Sequence, residues 1–223
     1  MVNPLPTTVS KTRLDGHHTK VVYPKFMTDI TRSVSSINLP NALTIARIVA
    51  VPALVACLYT FEGNTARWTA FGLFVAASIT DWLDGHLARR WQQQSSLGAM
   101  LDPIADKLLI GATLIMLVYD GTIAGSAIIP AVIILCREIL VSGLREFLAS
   151  LNVKVLVTLL AKWKTFAQII ALALLLVGPS LDSTIPGISY AGLVLLWVAA
   201  LVTIWTGTDY LRAGIDHATR NDQ

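Results

Sequence analysis

Two pairs of aspartates are spaced so that each pair would share one face of a helix. Asp81 and Asp84 are three residues apart, and Asp102 and Asp106 are four residues apart. Carboxylates that converge in a partly dehydrated site repel one another unless cations neutralise them. Mg²⁺ and Mn²⁺ prefer such oxygen ligands, and Mg²⁺ commonly completes its coordination shell with substrate phosphates. The aspartates therefore predict a divalent metal site that acts on a diphosphate.

Small residues continue the helix face of the first pair. Gly85 and Ala88 occupy the next positions on that face and would let a ligand approach the helix closely. A Gly-x-x-Ala pair by itself is more typical of helix packing in membranes. The aspartates could also form salt bridges with Arg89, Lys107 and Arg137. We favour a ligand site because so many carboxylates in one short stretch are too costly for scaffolding alone.

The composition places these aspartates in a membrane protein. Of the 223 residues, 54% are hydrophobic and 14% are charged, against about 25% charged in an ordinary soluble domain. A helix crosses a bilayer in about 20 residues. Apolar runs near this length span residues 42–61, 68–87, 104–119, 124–144, 158–178 and 188–210. We therefore predict an all-α polytopic membrane protein with about six transmembrane helices and no separate soluble domain.

The basic residues indicate how the helices are oriented. With the amino terminus inside, 16 of the 17 Lys and Arg residues fall on the cytosolic side, and Arg67 alone falls on the other. This is the positive-inside pattern, so we expect both termini and the aspartates on the cytosolic side. The same pattern accounts for the net charge of +3 without a nucleic-acid partner.

Three segments are predicted along the chain. Residues 1–36 are polar and carry five basic residues before the first apolar run, so we expect no cleavable signal peptide. Within this segment, residues 25–36 have apolar side chains near helical spacing, which is compatible with an amphipathic helix on the membrane surface. Residues 1–24 are equally well described as a disordered tail. Residues 37–212 form the membrane domain, and residues 213–223 form a cytosolic tail.

The aspartates also belong to a longer pattern. Residues 81–106 contain D-x2-D-G-x2-A-R-x8-G-x3-D-x3-D at all eight fixed positions, which resembles the signature of the CDP-alcohol phosphotransferase family. Further segments resemble the bacterial branch that uses glycerol 3-phosphate; these are residues 38–48, 101–109, 137–149 and 161–165. The resemblance covers roughly residues 37–210. It implies a homodimer in the bacterial cytoplasmic membrane that transfers the phosphatidyl group of CDP-diacylglycerol to the sn-1 hydroxyl of glycerol 3-phosphate and releases CMP.

The resemblance also implies roles for matched residues. Asp81, Asp84 and Asp102 correspond to ligands of Mg²⁺ or Mn²⁺, of which the family implies two ions. Asp106 corresponds to the general base, which also lies close to the metal. Together with Asp81 and Asp84, further residues correspond to the site of the cytidine nucleotide and its phosphates; these are Asn41, Thr44, Arg47, Gly85, Ala88, Arg89 and Gly98.

Basic residues in the second half of the chain correspond to the acceptor's phosphate site. They are Arg137, Arg145, Lys162 and Lys164. We rank Arg137 and Arg145 first, because a guanidinium can bind phosphate through two hydrogen bonds.

Other functions would leave different features in the sequence. Within the same chemistry the acceptor could be phosphatidylglycerol, as in a cardiolipin synthase, or inositol phosphate or serine. A phosphorylated acceptor best explains the cationic side chains of residues 137–164. A membrane prenyltransferase would be expected to have aspartate motifs in two separated halves. An ion transporter would be expected to place its charges near mid-membrane in two related halves.

Overall fold

The computed structural model describes residues 8–11, 20–23, 39–91, 96–151 and 159–221. The long helices in these residues are α1 Leu39–Thr60, α2 Gly63–Trp91, α3 Ser96–Tyr119, α4 Ile128–Ser150, α5 Leu159–Leu181 and α6 Ile188–Asn221. Each predicted apolar run lies mainly within one of them, so the predicted all-α polytopic fold is confirmed. Within the described ranges, α1, α4, α5 and α6 are long and apolar enough to cross a membrane. The other two helices, α2 and α3, carry the aspartates.

Local sequence explains where several helices begin and end. Pro40 stands in the first turn of α1, where a missing backbone N–H costs no intrahelical hydrogen bond. Short loops join α1 to α2, α3 to α4 and α5 to α6. The second and third of these loops contain Gly121 and Gly187, whose φ angles of 78° and 94° lie in the left-handed region that favours glycine. A 3₁₀ turn, Gly125–Ala127, leads directly into α4.

All six helices contribute side chains to one core. Fully buried examples, one from each helix in order, are Leu54, Phe74, Leu117, Ile134, Leu172 and Leu196. Lipid tails are as apolar as these side chains, so close packing rather than escape from water holds such helices together. The most extensive contact is between α5 and α6. There Gly178 and Gly192 allow the two backbones to approach closely.

A salt bridge and hydrogen bonds of one arginine connect three helices at the end of the bundle opposite the aspartates. Arg67 Nη2 of α2 donates to Asp120 Oδ2 at 3.0 Å and to Thr122 Oγ1 at 3.1 Å, just beyond the end of α3. Arg67 Nη1 also contacts the carbonyl oxygen of Leu176 in α5 at 3.5 Å. Arg67 is the basic residue predicted on the non-cytosolic side, and its charge is paired there with Asp120.

The chain termini add two features to the helical domain. Strands β1 Thr8–Lys11 and β2 Lys20–Tyr23 pair as an antiparallel ribbon, with Thr8 opposite Tyr23. The amphipathic helix predicted at residues 25–36 lies outside the described residues. At the other end, α6 has 34 residues and is about 50 Å long, well beyond the roughly 30 Å of a bilayer's apolar core. It continues to Asn221, through most of the segment predicted as a tail.

The close approach of α5 and α6 gives a stability prediction. An added Cβ at Gly178 would lie 3.1 Å from Ser189 Cα and 3.2 Å from Ser189 N, so Gly178→Ala must displace the first turn of α6. We expect a loss of roughly 1–3 kcal/mol in the free energy of unfolding, measured as a lower Tm of the detergent-solubilised protein. Gly72→Ala in α2 is the control, because its added methyl would meet nothing within 4 Å. Equal Tm values for the two variants would contradict this packing.

Candidate active site

Three aspartates from two helices meet around one arginine from a third. Arg47 lies in the third turn of α1, and Asp81 lies in the second half of α2. Asp102 and Asp106 lie in the first half of α3. Arg47 Nη1 donates to Asp102 Oδ1 and to Asp106 Oδ1, each at 2.9 Å. Asp81 Oδ1 is also 2.9 Å from the same nitrogen. We call these four residues the aspartate cluster.

The aspartate cluster has a buried positive centre and a more exposed negative rim. The Arg47 side chain is 0% exposed, whereas the side chains of Asp81, Asp102 and Asp106 are 36%, 38% and 43% exposed. Thr44, one turn earlier on α1, is buried as well. Solvent therefore reaches the carboxylates, whereas Arg47 is enclosed behind them.

The oxygen donors of this cluster are of the type that a hard divalent cation prefers, although in the described part of the chain no three His, Cys, Asp or Glu side chains are already placed to hold a metal ion. Three carboxylate oxygens surround a single point at 2.9 Å, so no two of them are farther apart than twice that distance. Mg²⁺ is bound by carboxylates together with water and substrate phosphates, and Mn²⁺ prefers the same oxygen ligands. A cationic nitrogen at this point demonstrates that the three oxygens can share one positive charge.

The remaining residues of the signature lie on the same two helices. The structure describes only the helical backbone of Asp84, Gly85, Ala88 and Arg89, which occupy the last turns of α2. Gly98 lies in the first turn of α3 and is partly exposed. The side chain of Asn41 in α1 is outside the described part of the chain. The roles implied for these residues stay predictions.

A second group of charges joins the other three helices. Arg137 Nη1 of α4 lies 3.5 Å from Glu138 Oε1, and Lys164 Nζ of α5 donates to that same oxygen. Arg137 Nη2 donates to Thr206 Oγ1 of α6 at 3.1 Å. We call Arg137, Glu138, Lys164 and Thr206 the cationic cluster. Its two cations share one carboxylate, so the cluster keeps one net positive charge with which to bind an anion.

Lys107 stands between the two clusters. Its Nζ donates to the carbonyl oxygen of Pro103 at 2.9 Å, one turn back along α3. Its charge also lies within electrostatic range of Asp106 in the aspartate cluster, of Glu138 in the cationic cluster and of Arg145. The two clusters are therefore neighbours at one end of the bundle, which is an arrangement suited to two anionic substrates.

The predicted acceptor residues separate into two sets. Arg137 and Lys164 are largely buried and meet at Glu138. Arg145 is exposed on α4, two turns beyond Arg137. The side chain of Lys162 lies outside the described residues.

Two contributors to the cationic cluster have no predicted role. Glu138 could have been found from the sequence, because a carboxylate within an apolar helix needs a partner. Thr206 gives no such signal, because a threonine in a membrane helix commonly bonds its own backbone, as Thr206 does to the carbonyl oxygen of Val202 at 3.0 Å.

Comparison with known families identifies the family of this chain. A family model described as CDP-alcohol phosphatidyltransferase matches residues 37–205, which include every described residue of both clusters except Thr206. The chain therefore belongs to the CDP-alcohol phosphatidyltransferase family. Membership sets aside the prenyltransferase and the ion transporter.

Individual relatives carry two kinds of name. A Rickettsia bellii protein named CDP-diacylglycerol--glycerol-3-phosphate 3-phosphatidyltransferase is 49% identical over 176 residues, covering 79% of this chain and 94% of the relative. An Arabidopsis thaliana protein with the same name and the number 2 is 43% identical, covering 79% of each chain. A rice protein named cardiolipin synthase (CMP-forming) is 42% identical, covering 79% of this chain and 57% of the relative.

Proposed function

We propose that the protein transfers the phosphatidyl group of CDP-diacylglycerol to the sn-1 hydroxyl of glycerol 3-phosphate. The products are phosphatidylglycerol phosphate, which enters phospholipid synthesis, and CMP. The observation that carries this proposal is the convergence of Asp81, Asp102 and Asp106 on one point, beside a separate cluster with net positive charge. The names of the Rickettsia and Arabidopsis relatives support the same acceptor.

The aspartates are expected to hold the metal that the reaction needs. Asp81, Asp102 and Asp106 would bind Mg²⁺ or Mn²⁺, with Asp84 as a further ligand and two ions in the complete site. When bound, such ions neutralise the diphosphate and stabilise the charge that develops on the departing CMP.

Asp106 is expected to act as the general base. It is the most exposed carboxylate of the aspartate cluster, and it directly precedes Lys107, whose charge lies within electrostatic range of Glu138 in the cationic cluster. Its oxygen would accept the proton of the sn-1 hydroxyl as that hydroxyl oxygen bonds to the phosphorus that bears diacylglycerol. The bond from this phosphorus to the CMP oxygen breaks in the same transfer. Positioning and charge stabilisation suffice for this chemistry, so no covalent enzyme intermediate is invoked.

The cationic cluster is expected to bind the phosphate of the acceptor. Arg137 offers a planar guanidinium that Thr206 orients, and Lys164 adds a second positive charge. A phosphate would compete with Glu138 for these cations, while Arg145 and Lys162 would extend the site toward the exposed end of the helices. An uncharged alcohol would not need this group.

A second acceptor is a candidate because of one relative. The rice cardiolipin synthase is nearly as similar as the Arabidopsis enzyme, and its acceptor class would carry a phosphodiester. A phosphodiester bears one negative charge and would be balanced by the single net positive charge of the cationic cluster alone. The phosphomonoester of glycerol 3-phosphate bears more charge, for which Arg145 and Lys162 supply additional partners. Inositol phosphate is a third candidate.

One assay separates these acceptors. The purified protein is incubated with CDP-diacylglycerol and, separately, glycerol 3-phosphate, phosphatidylglycerol, inositol phosphate or serine, with and without EDTA. We expect CMP release with glycerol 3-phosphate, and we expect chelation to abolish it and added Mg²⁺ or Mn²⁺ to restore it. CMP release with phosphatidylglycerol alone would assign the cardiolipin synthase reaction instead, and full activity in EDTA would refute the metal site.

We also propose an arrangement in the cell. Both termini and both clusters would face the cytosol, in the cytoplasmic membrane of a bacterium, because the basic residues are concentrated at that side. A homodimer is expected from the resemblance to the family. Native mass spectrometry of the protein extracted with lipid would test the dimer, and labelling of single cysteines introduced near the termini would test the orientation.

A further inference from the structure

The aspartate cluster already contains a cation of its own. Arg47 Nη1 lies 2.9 Å from one oxygen of each of Asp81, Asp102 and Asp106. The nearby Lys107 instead donates to the carbonyl oxygen of Pro103. A nitrogen of this kind carries two hydrogens and so can donate two good hydrogen bonds, here to Asp102 and Asp106. Asp81 Oδ1 lies at the same 2.9 Å from this nitrogen and forms an ion pair with it.

This nitrogen occupies the point that a shared metal ion would need. Mg²⁺ binds carboxylate oxygens at about 2.0–2.1 Å, which is well inside the 2.9 Å that separates Nη1 from each oxygen. A metal ion bound to these three oxygens would therefore occupy the position of the guanidinium nitrogen, and the two cannot be there at the same time. Their like charges also repel each other, strongly so where the Arg47 side chain is 0% exposed to solvent.

We propose that Arg47 is a built-in competitor of the metal. Its guanidinium neutralises the aspartates before the metal binds, and it must leave their oxygens when the metal arrives. This inference rests on the metal dependence in the proposed function. Its advantage to the protein is that partly buried, mutually repelling carboxylates are never left without a positive charge. Because the metal must displace Arg47, the protein binds the metal more weakly than three carboxylates without the arginine would.

The test is a titration of the purified, substrate-free protein with Mn²⁺. The electron paramagnetic resonance signal of free Mn²⁺ measures how much of the ion remains unbound. Arg47→Gln removes the competing charge and keeps a polar side chain of moderate length. We expect the Kd for Mn²⁺ to fall by about tenfold or more, because each charge-assisted hydrogen bond that the metal no longer has to break contributes on that scale. If Arg47 only supported the shape of the site, Arg47→Gln would weaken Mn²⁺ binding and the Kd would rise.

Two further variants serve as comparisons. Arg47→Lys keeps a positive charge, so its Kd should fall between those of the native protein and Arg47→Gln. Arg67→Gln is the matched control, since it also removes a guanidinium that is paired with a carboxylate, that of Asp120. Arg67 lies about 21 Å from Asp81 along α2, well away from the aspartate cluster. This control variant should leave the Kd for Mn²⁺ unchanged while lowering Tm.

A thermal measurement guards against loss of folding in Arg47→Gln. The metal-free variant should have a lower Tm than the native protein, and saturating Mn²⁺ should raise its Tm by more than it raises that of the native protein. The proposal is overturned by an equal or weaker Kd in Arg47→Gln, and equally by no Mn²⁺ binding to either protein. The proposed reaction is judged separately, from CMP release by the native enzyme.

Discussion

Replacing Asp106 with asparagine is expected to lower kcat by roughly 10²- to 10⁴-fold, the range that general-base catalysis contributes. The amide keeps the size of the side chain but cannot accept a proton from the acceptor hydroxyl. Binding of CDP-diacylglycerol should persist in part, because Asp81 and Asp102 retain their positions around Arg47. The measurements are CMP release at saturating substrates and binding of radiolabelled CDP-diacylglycerol.

Asp102→Asn is the matched comparison for this variant. Asp102 and Asp106 contact the same Arg47 nitrogen at the same 2.9 Å, so the two substitutions perturb the aspartate cluster similarly. A pure metal ligand should lose activity chiefly through weaker metal binding, which excess Mn²⁺ partly restores. We expect this recovery in Asp102→Asn and a kcat that stays low in Asp106→Asn. Recovery of Asp106→Asn at high Mn²⁺, or near-normal turnover, would remove Asp106 from the base role.

The helices were the most predictable part of the molecule. An apolar run long enough to cross a bilayer has almost no alternative to a helix, because each backbone polar group must be satisfied within the segment. The ends of the long helices were less predictable. In α2 and α6 polar residues follow the apolar run without a proline, and the helix continues to Trp91 and Asn221.

Helical spacing by itself anticipates convergence of the aspartates only within each pair, whereas the prediction that the two pairs meet came from their shared chemistry and from the family resemblance. Helical spacing places Asp102 and Asp106 on one face of α3, and both contact Arg47 in the structure. The contact of Asp81 with the same point depends on how α2 and α3 pack against α1, which spacing along one helix does not encode. Spacing does not place Arg47 either, since it lies 55 residues from Asp102 in sequence. The family resemblance grouped Arg47 with the nucleotide phosphates, but it did not predict the contacts of Arg47 with Asp102 and Asp106.

The cationic cluster shows a similar limit. Its charged members could be picked out as costly residues in apolar helices, but their pairing could not. Arg137 and Glu138 are adjacent in sequence, yet Lys164 and Thr206 are 26 and 69 residues from their respective partners. Such contacts depend on the packing of α4, α5 and α6, and no periodicity of a single helix predicts them.

The two clusters divide the proposed reaction by charge. The aspartate cluster offers carboxylates and so needs cations before it can accept the diphosphate of the donor. The cationic cluster offers Arg137 and Lys164 directly and can accept a phosphate without a metal ion. Metal dependence should therefore belong to the donor lipid, and affinity for the phosphorylated acceptor should depend on the side chains of α4 and α5.

Arg137→Gln tests this division most directly. We expect the KM for glycerol 3-phosphate to rise by about 10- to 100-fold, the cost of losing a charge-assisted hydrogen bond to phosphate. The KM for CDP-diacylglycerol should change far less, because Arg137 contacts Glu138 and Thr206 rather than the aspartates. Initial rates of CMP release, with each substrate varied in turn, give the two constants.

Thr206→Val distinguishes binding by Arg137 from a general disturbance of the bundle. Valine keeps the shape of threonine but removes the hydroxyl that accepts the 3.1 Å hydrogen bond from Arg137. It should raise the KM for glycerol 3-phosphate in the same direction by a smaller factor, and it should add little in the Arg137→Gln background, because the two residues act through one contact. If either variant raises both KM values together, the acceptor's phosphate does not bind at the cationic cluster.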